Sequence, residues 1–204
     1  GGRLHIAHVS SAGAVELVRH FKAKGVQVTA EVTPHHFTLT DEALEHFDTN
    51  LKVNPPIRSS VDLTAIQQGL ADGTIDAIAT DHAPHSTIEK DVEFDYAAFG
   101  MIGLETAFPL TLRLVDQGLL SPLEAIAKLT SNPARIIGVD LGRLTPGLPA
   151  DVSLIEPNRE FTVDVNQFRS KSRNSPFQGW QLKGKTVMVL RDGKTIFTEE
   201  NPSG

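Results

Sequence analysis

Short apolar runs of period two alternate along the chain with longer stretches of period near 3.6. Leu4-His5-Ile6-Ala7-His8-Val9 alternates and is brief, which predicts a strand closing near His8. Ser10 or Ser11 then caps a helix whose apolar face runs through Ala14, Leu17, Val18 and Phe21, with Gly25 as its stop. Residues 26–32 read as a second strand, closing in Thr33-Pro34-His35-His36. A short helix over 41–46 precedes Asn54-Pro55-Pro56, an extended, rigid stop. Leu63, Ile66 and Leu70 mark another helix, ended by Asp72-Gly73. Ile75-Asp76-Ala77-Ile78-Ala79 follows as a buried strand of a parallel sheet, with Pro84 ahead of it.

Strand followed by helix, three times over, predicts an α/β fold with a parallel sheet or barrel. A complete (β/α)8 barrel takes about 250 residues, so a barrel reading gives this chain only the last three strand–helix units. The second half changes character. Residues 89–100 form an acidic loop, 105–115 a helix bent at Pro109, and Ser121-Pro122-Leu123-Glu124 a strong helix start. Asn132-Pro133 opens a short helix that stops near Gly138. Strands are predicted at 151–155, 185–190 and 195–198, the last two as a hairpin about Asp192-Gly193. The expected division is 1–140 as α/β barrel material and 141–204 as a small β-rich segment.

Composition narrows the classes. Among 204 residues, 40% are hydrophobic, so a core is expected rather than disorder. A net charge of −6 with no basic block argues against nucleic acid as the main partner. With no cysteine, disulfides and thiolate metal sites are excluded. No apolar run approaches the roughly 18 residues of a membrane helix. The start, Gly1-Gly2-Arg3, has no initiator methionine or targeting pattern, so the expectation is a piece cut from a longer chain.

Candidate chemistry gathers at the predicted strand ends, where α/β folds place their sites. His8 and Asp81 each stand at such an end, two strands apart, and imidazole with carboxylate is a donor set that hydrolytic zinc prefers. His82, His85, His35, His36, Asn54 and Arg58 share this placement. Each alone has an ordinary structural reading: a capping aspartate, a packed histidine, a polar loop. Together they point to a metal-assisted enzyme with no substrate specified.

Several stretches go further. His8-Val9-Ser10-Ser11, Glu31-Val32-Thr33-Pro34-His35-His36, Asn54-Pro55-Pro56-Ile57-Arg58, Thr80-Asp81-His82-Ala83-Pro84-His85 and Phe99-Gly100-Met101-Ile102-Gly103-Leu104-Glu105-Thr106 resemble the carboxyl-terminal part of the bacterial long-type dihydroorotases, within the amidohydrolase superfamily. Ser170-Lys171-Ser172-Arg173-Asn174-Ser175-Pro176-Phe177 is also similar to that family. The Asp-His-Ala-Pro-His piece is shared with hydantoinases and allantoinases, whereas Thr-Pro-His-His followed by Asn-Pro-Pro is more particular to dihydroorotases.

The resemblance implies a (β/α)8 barrel with a two-zinc centre and reversible hydrolysis of L-dihydroorotate to N-carbamoyl-L-aspartate, a cytoplasmic step of pyrimidine synthesis. It assigns His8 as a metal ligand, Asp81 as metal ligand and proton carrier, and Asn54, His85, Phe99 and Gly100 as substrate contacts. It assigns no metal to His35 or His36, and a supporting place to His82. The family's His-x-His pair, its bridging Asp or carboxylated Lys, a further His and a substrate-gripping Arg have no counterpart here and are expected before Gly1. The partners implied are that missing half of the enzyme, a second copy, and aspartate carbamoyltransferase. Two other functions stay open: a hydantoinase or allantoinase, and a non-catalytic scaffold for a carbamoyltransferase.

Overall fold

A computed structural model describes residues 1–199. β1 (Leu4–Ile6), α1 (Ala12–Ala23), β2 (Val28–Val32), α2 (Ser60–Ala71) and β3 (Ala77–Ile78) build a three-stranded parallel sheet in the order β1-β2-β3. Register is fixed by Leu4 opposite Val28 and by Val32 opposite Ile78. The pairing runs past the strand ends. Val9 N–H donates to Glu31 O at 2.9 Å, and Ala79 N–H to Val32 O at 3.0 Å. His8 and Asp81 therefore both lie just beyond the carboxyl end of the sheet, on either side of β2.

Local chemistry explains the helix boundaries. Ser11 and Ser59 sit in extended backbone and accept from Ala14 N–H and Asp62 N–H, satisfying first-turn donors. Gly25 and Gly73 stop the two helices in the left-handed region, at φ +76° and +80°. The face of α1 differs from the sequence expectation. Val15 and Val18 are buried, whereas Leu17 and Phe21 are 60% and 43% exposed. Helical spacing gave the right period but the phase was set by packing on α2. Strand β3 is also shorter than the five residues expected.

α3 (Thr87–Lys90), α4 (Leu104–Asp116), α5 (Pro122–Leu129) and α6 (Ser131–Ile137) follow. Ser121 and Glu124 make the reciprocal cap that the sequence predicts, and Gly138 closes α6 at φ +78°. Pro109 lies buried within α4 beside Leu110, whose side chain is fully inside. Burying a side chain of that kind contributes about 1.5–3 kcal/mol.

β4 (Val152–Thr162), β5 (Gln181–Arg191) and β6 (Lys194–Thr198) form a three-stranded antiparallel sheet. β4 runs seven residues beyond the predicted stop at Ile155. The register shift between Glu156 and Glu160 takes Pro157 out of the ladder, where its missing N–H costs nothing. The β5–β6 turn has Asp192 and Gly193 at φ +49° and +73°, as a two-residue hairpin requires. α4 packs on β5 so closely that a Cβ at Gly184 would lie 2.2 Å from Leu112 Cδ1. Val163, Val165, Phe177 and Leu182 join Val15, Ile66, Leu70 and Leu110 in one hydrophobic core. The segment between β4 and β5 is thus built into the α/β part of the molecule.

Candidate active site

His8 and Asp81 have left-handed backbone, φ +52° and +46°, two of four such non-glycine residues among those described. That conformation is uncommon for side chains with a Cβ and costs of order 1 kcal/mol or more, so surrounding structure holds it in place. The turn swings each side chain off its strand line. His8 Nε2 and Asp81 Oδ1 face each other at 3.6 Å, and both side chains remain a little over a quarter exposed.

Glu31 completes the arrangement. It stands on β2 among buried Val28, Ala30 and Val32, on the face that also carries Thr29. Glu31 Oε1 lies 3.1 Å from His8 Nδ1, out of line for a hydrogen bond, and Oε2 lies 3.1 Å from His5 Nε2. His5 Nδ1 is 2.8 Å from Thr29 Oγ1. A polar row thus runs Thr29, His5, Glu31, His8, Asp81. Partial burial pushes the Asp81 carboxyl above the ordinary aspartate value; His8 pulls it down and Glu31 pushes it up.

His85, Phe99 and Gly100 form a second group. His85 Nε2 is 2.9 Å from Phe99 O, and its Nδ1 is 3.5 Å from Glu89. Gly100 N–H donates to Lys52 O at 2.8 Å, which ties the 91–100 loop to the chain just before Asn54. The Asn54 side chain is exposed and makes no hydrogen bond among the described residues, and the Asn54–Pro55 bond is cis. Lys52 Nζ donates to Phe94 O and Asp95 O at 2.7 and 2.9 Å and stands 4.6 Å above the Phe99 ring.

His36 and His82 are held by hydrogen bonds within the fold. His35 and His36 lie in a turn after β2, and both are buried, so strand alternation does not apply to them. His36 bridges Thr33 Oγ1 at 2.7 Å and Pro55 O at 3.0 Å, and so anchors the Asn54 loop. His82 Nδ1 accepts from Gly103 N–H at 3.1 Å, capping α4. Arg58 Nε donates to Ser10 Oγ at 3.0 Å.

Burial pulls His36 down to about 4, against the opposing pull of the Pro55 carbonyl. Its folded value thus lies below the unfolded value near 6.5. The stability it contributes is complete above about pH 6.5 and is lost as pH falls toward 4, a change of about 3 kcal/mol. Thermal midpoints of wild type and His36→Gln are expected to converge or cross as pH is lowered through that window. Parallel profiles would show that His36 carries no such linkage.

The amidohydrolase family model matches residues 3–196, and the chain belongs to that family. Two curated dihydroorotases are similar over 200 residues: that of Syntrophus aciditrophicus at 54% identity and that of Pelotomaculum thermopropionicum at 56%. Each match covers 98% of this chain and 47% of the relative, so the chain spans about half the length of the curated relatives it matches. Among solved structures, the L-hydantoinase (dihydropyrimidinase) from Arthrobacter aurescens aligns with a TM-score of 0.89 at 32% identity, covering 96% of this chain and 45% of that one. The dihydropyrimidinase from Brevibacillus agri aligns at 0.90 with 24% identity, a likeness of fold.

The donor set at His8 and Asp81 fits part of a metal centre. Two ligands of one tetrahedral zinc ion, each about 2.1 Å from it, stand roughly 3.4 Å apart, close to the 3.6 Å found. Among the described residues no group of three or more His, Asp or Glu could hold an ion.

Proposed function

We propose that this chain carries the carboxyl-terminal share of a dihydroorotase active site: a cytoplasmic, zinc-dependent hydrolase interconverting L-dihydroorotate and N-carbamoyl-L-aspartate. The observation that carries the proposal is the facing His8–Asp81 pair, in a chain more than half identical to dihydroorotases. The parallel β1-β2-β3 sheet is then the last three strands of a (β/α)8 barrel, and the other ligands lie in sequence this chain does not carry. The greater identity to dihydroorotases than to the L-hydantoinase favours dihydroorotate over hydantoin as substrate.

His8 and Asp81 would hold zinc, which when bound supplies a water of lowered pKa and polarises the ring carbonyl. The rest falls to this chain's side chains. Asp81 takes a proton from the attacking water and delivers it to the ring nitrogen as the C–N bond breaks, so protons balance over the cycle. Asn54, with its free amide, donates to the substrate carboxylate; His85 joins it by turning Nε2 from Phe99 O, its acceptor in this structure, and the Phe99–Gly100 backbone faces the ring.

The test uses a full-length enzyme in which the amino-terminal half of the Syntrophus aciditrophicus relative is joined to this chain. Asn54→Ala and His85→Ala should each lower kcat/KM for dihydroorotate by roughly ten- to thousandfold, the loss of one charge-assisted bond. Dihydrouracil has no ring carboxylate, and its turnover should fall much less. Equal losses on both rings would assign these residues to support of the fold or metal instead.

A further inference from the structure

Asn174 lies between β4 and β5, far along the chain from every candidate site residue, and is 5% exposed. Among the described residues its hydrogen bonds go to two places. Side-chain Nδ2 donates to Ala83 O at 2.9 Å and to Gly100 O at 3.2 Å. Side-chain Oδ1 accepts from His85 N–H at 3.2 Å, and backbone O accepts from Ile102 N–H at 3.0 Å. Both amide protons and the carbonyl oxygen are thus spent on residues 83–85 and 100–102, the two segments that carry His85 and Gly100.

Those segments approach as closely as backbone allows. A Cβ on Gly100, at φ +131°, would lie 2.4 Å from Ala83 Cβ and 3.2 Å from His85 Nε2. Gly100 O takes a second donor, Lys90 Nζ at 3.0 Å, and Lys90 Nζ also donates to Ala98 O at 2.8 Å. Burial lowers the Lys90 ammonium to about 8, with Asp48 drawing it back up. Gly100 is fixed by Lys52, Lys90 and Asn174 together; of these, Asn174 alone also holds His85.

We propose that Asn174 is a positioning residue that sets the separation of His85 from Gly100, and through them the grip on the substrate. The substrate part of this rests on the dihydroorotase reading; the spacing part does not. A buried amide with purely structural duties would leave local exchange and substrate affinity uncoupled. This one ties both to a single side chain.

The experiment has two arms. In the first, amide hydrogen exchange is measured residue by residue on the 204-residue chain. Asn174→Ala should speed exchange at His85 by about tenfold or more while Val9 and Ala79, in the parallel sheet, keep wild-type protection. In the second arm, the joined full-length enzyme with Asn174→Ala should show KM for dihydroorotate raised by about tenfold and kcat changed much less, at unaltered zinc content. Unchanged His85 exchange, or faster exchange throughout the sheet, would overturn the proposal. So would loosened His85 with an unaltered KM. If the wild-type joined enzyme turns over no dihydroorotate, the function reading fails, and the spacing role is decided by the exchange arm alone.

Discussion

Asp81→Asn is expected to lower dihydroorotate turnover by the joined full-length enzyme by roughly a thousandfold or more, with the fold intact. An amide has no titratable oxygen, so it neither accepts the proton of the attacking water nor returns one to the leaving nitrogen. It is also the weaker zinc ligand. The fold should survive for two reasons. Asn is one of the residues that tolerates the left-handed backbone of position 81. Asn also keeps the size and shape of Asp, so the packing around position 81 is little changed. His82→Ala makes the contrast. It removes the acceptor for Gly103 N–H at the start of α4 and should cost about 1 kcal/mol of stability with little change in rate. Turnover assays and thermal melts on the two variants decide between them. An inactive His82→Ala beside a near-normal Asp81→Asn would reverse the roles.

The parts of the fold legible in the sequence were those set by local chemistry. The Ser121–Glu124 cap, the glycine stops at 25, 73 and 138, and the Asp192-Gly193 turn each need a few adjacent residues, and each is in place. What was illegible depended on distant partners. The phase of α1 is set by what α2 covers, and the length of β4 by a bulge that only pairing with β5 reveals. The site divides in the same way. His8 and Asp81 were marked by their position after strands. Glu31 is not singled out by its sequence neighbours, because only the β1–β2 register places it against both His5 and His8. An acidic residue inside an apolar strand was the available signal. Asn174 gave none, since its partners lie 74 to 91 residues away. Nothing local in the sequence sets Lys52 and Lys90 apart, and the fold buries both against carbonyls.

The 204-residue chain alone is expected to bind at most one zinc ion, weakly, and to show no measurable turnover of dihydroorotate. Catalytic zinc sites use three protein ligands and one open position. Here His8 Nε2 and Asp81 Oδ1 are two, and no third His, Asp or Glu joins them among the described residues. Nor does Glu31 fill the gap, because its carboxylate lies on the Nδ1 side of His8, away from the edge shared with Asp81. An ion held by two groups is readily lost to a competing chelator, and the second ion of a two-zinc centre would have no ligands of its own. Losing that ion removes much of the charge stabilisation on which the reaction depends, worth several kcal/mol of barrier and hence orders of magnitude in rate. Zinc titration against a chromogenic chelator should give weak binding that His8→Ala abolishes. Joining the amino-terminal half of the relative should restore tight zinc and turnover together. Zinc-dependent hydrolysis by the pure chain alone would mean that His8 and Asp81 suffice, and the proposal of a site shared with absent sequence would fall.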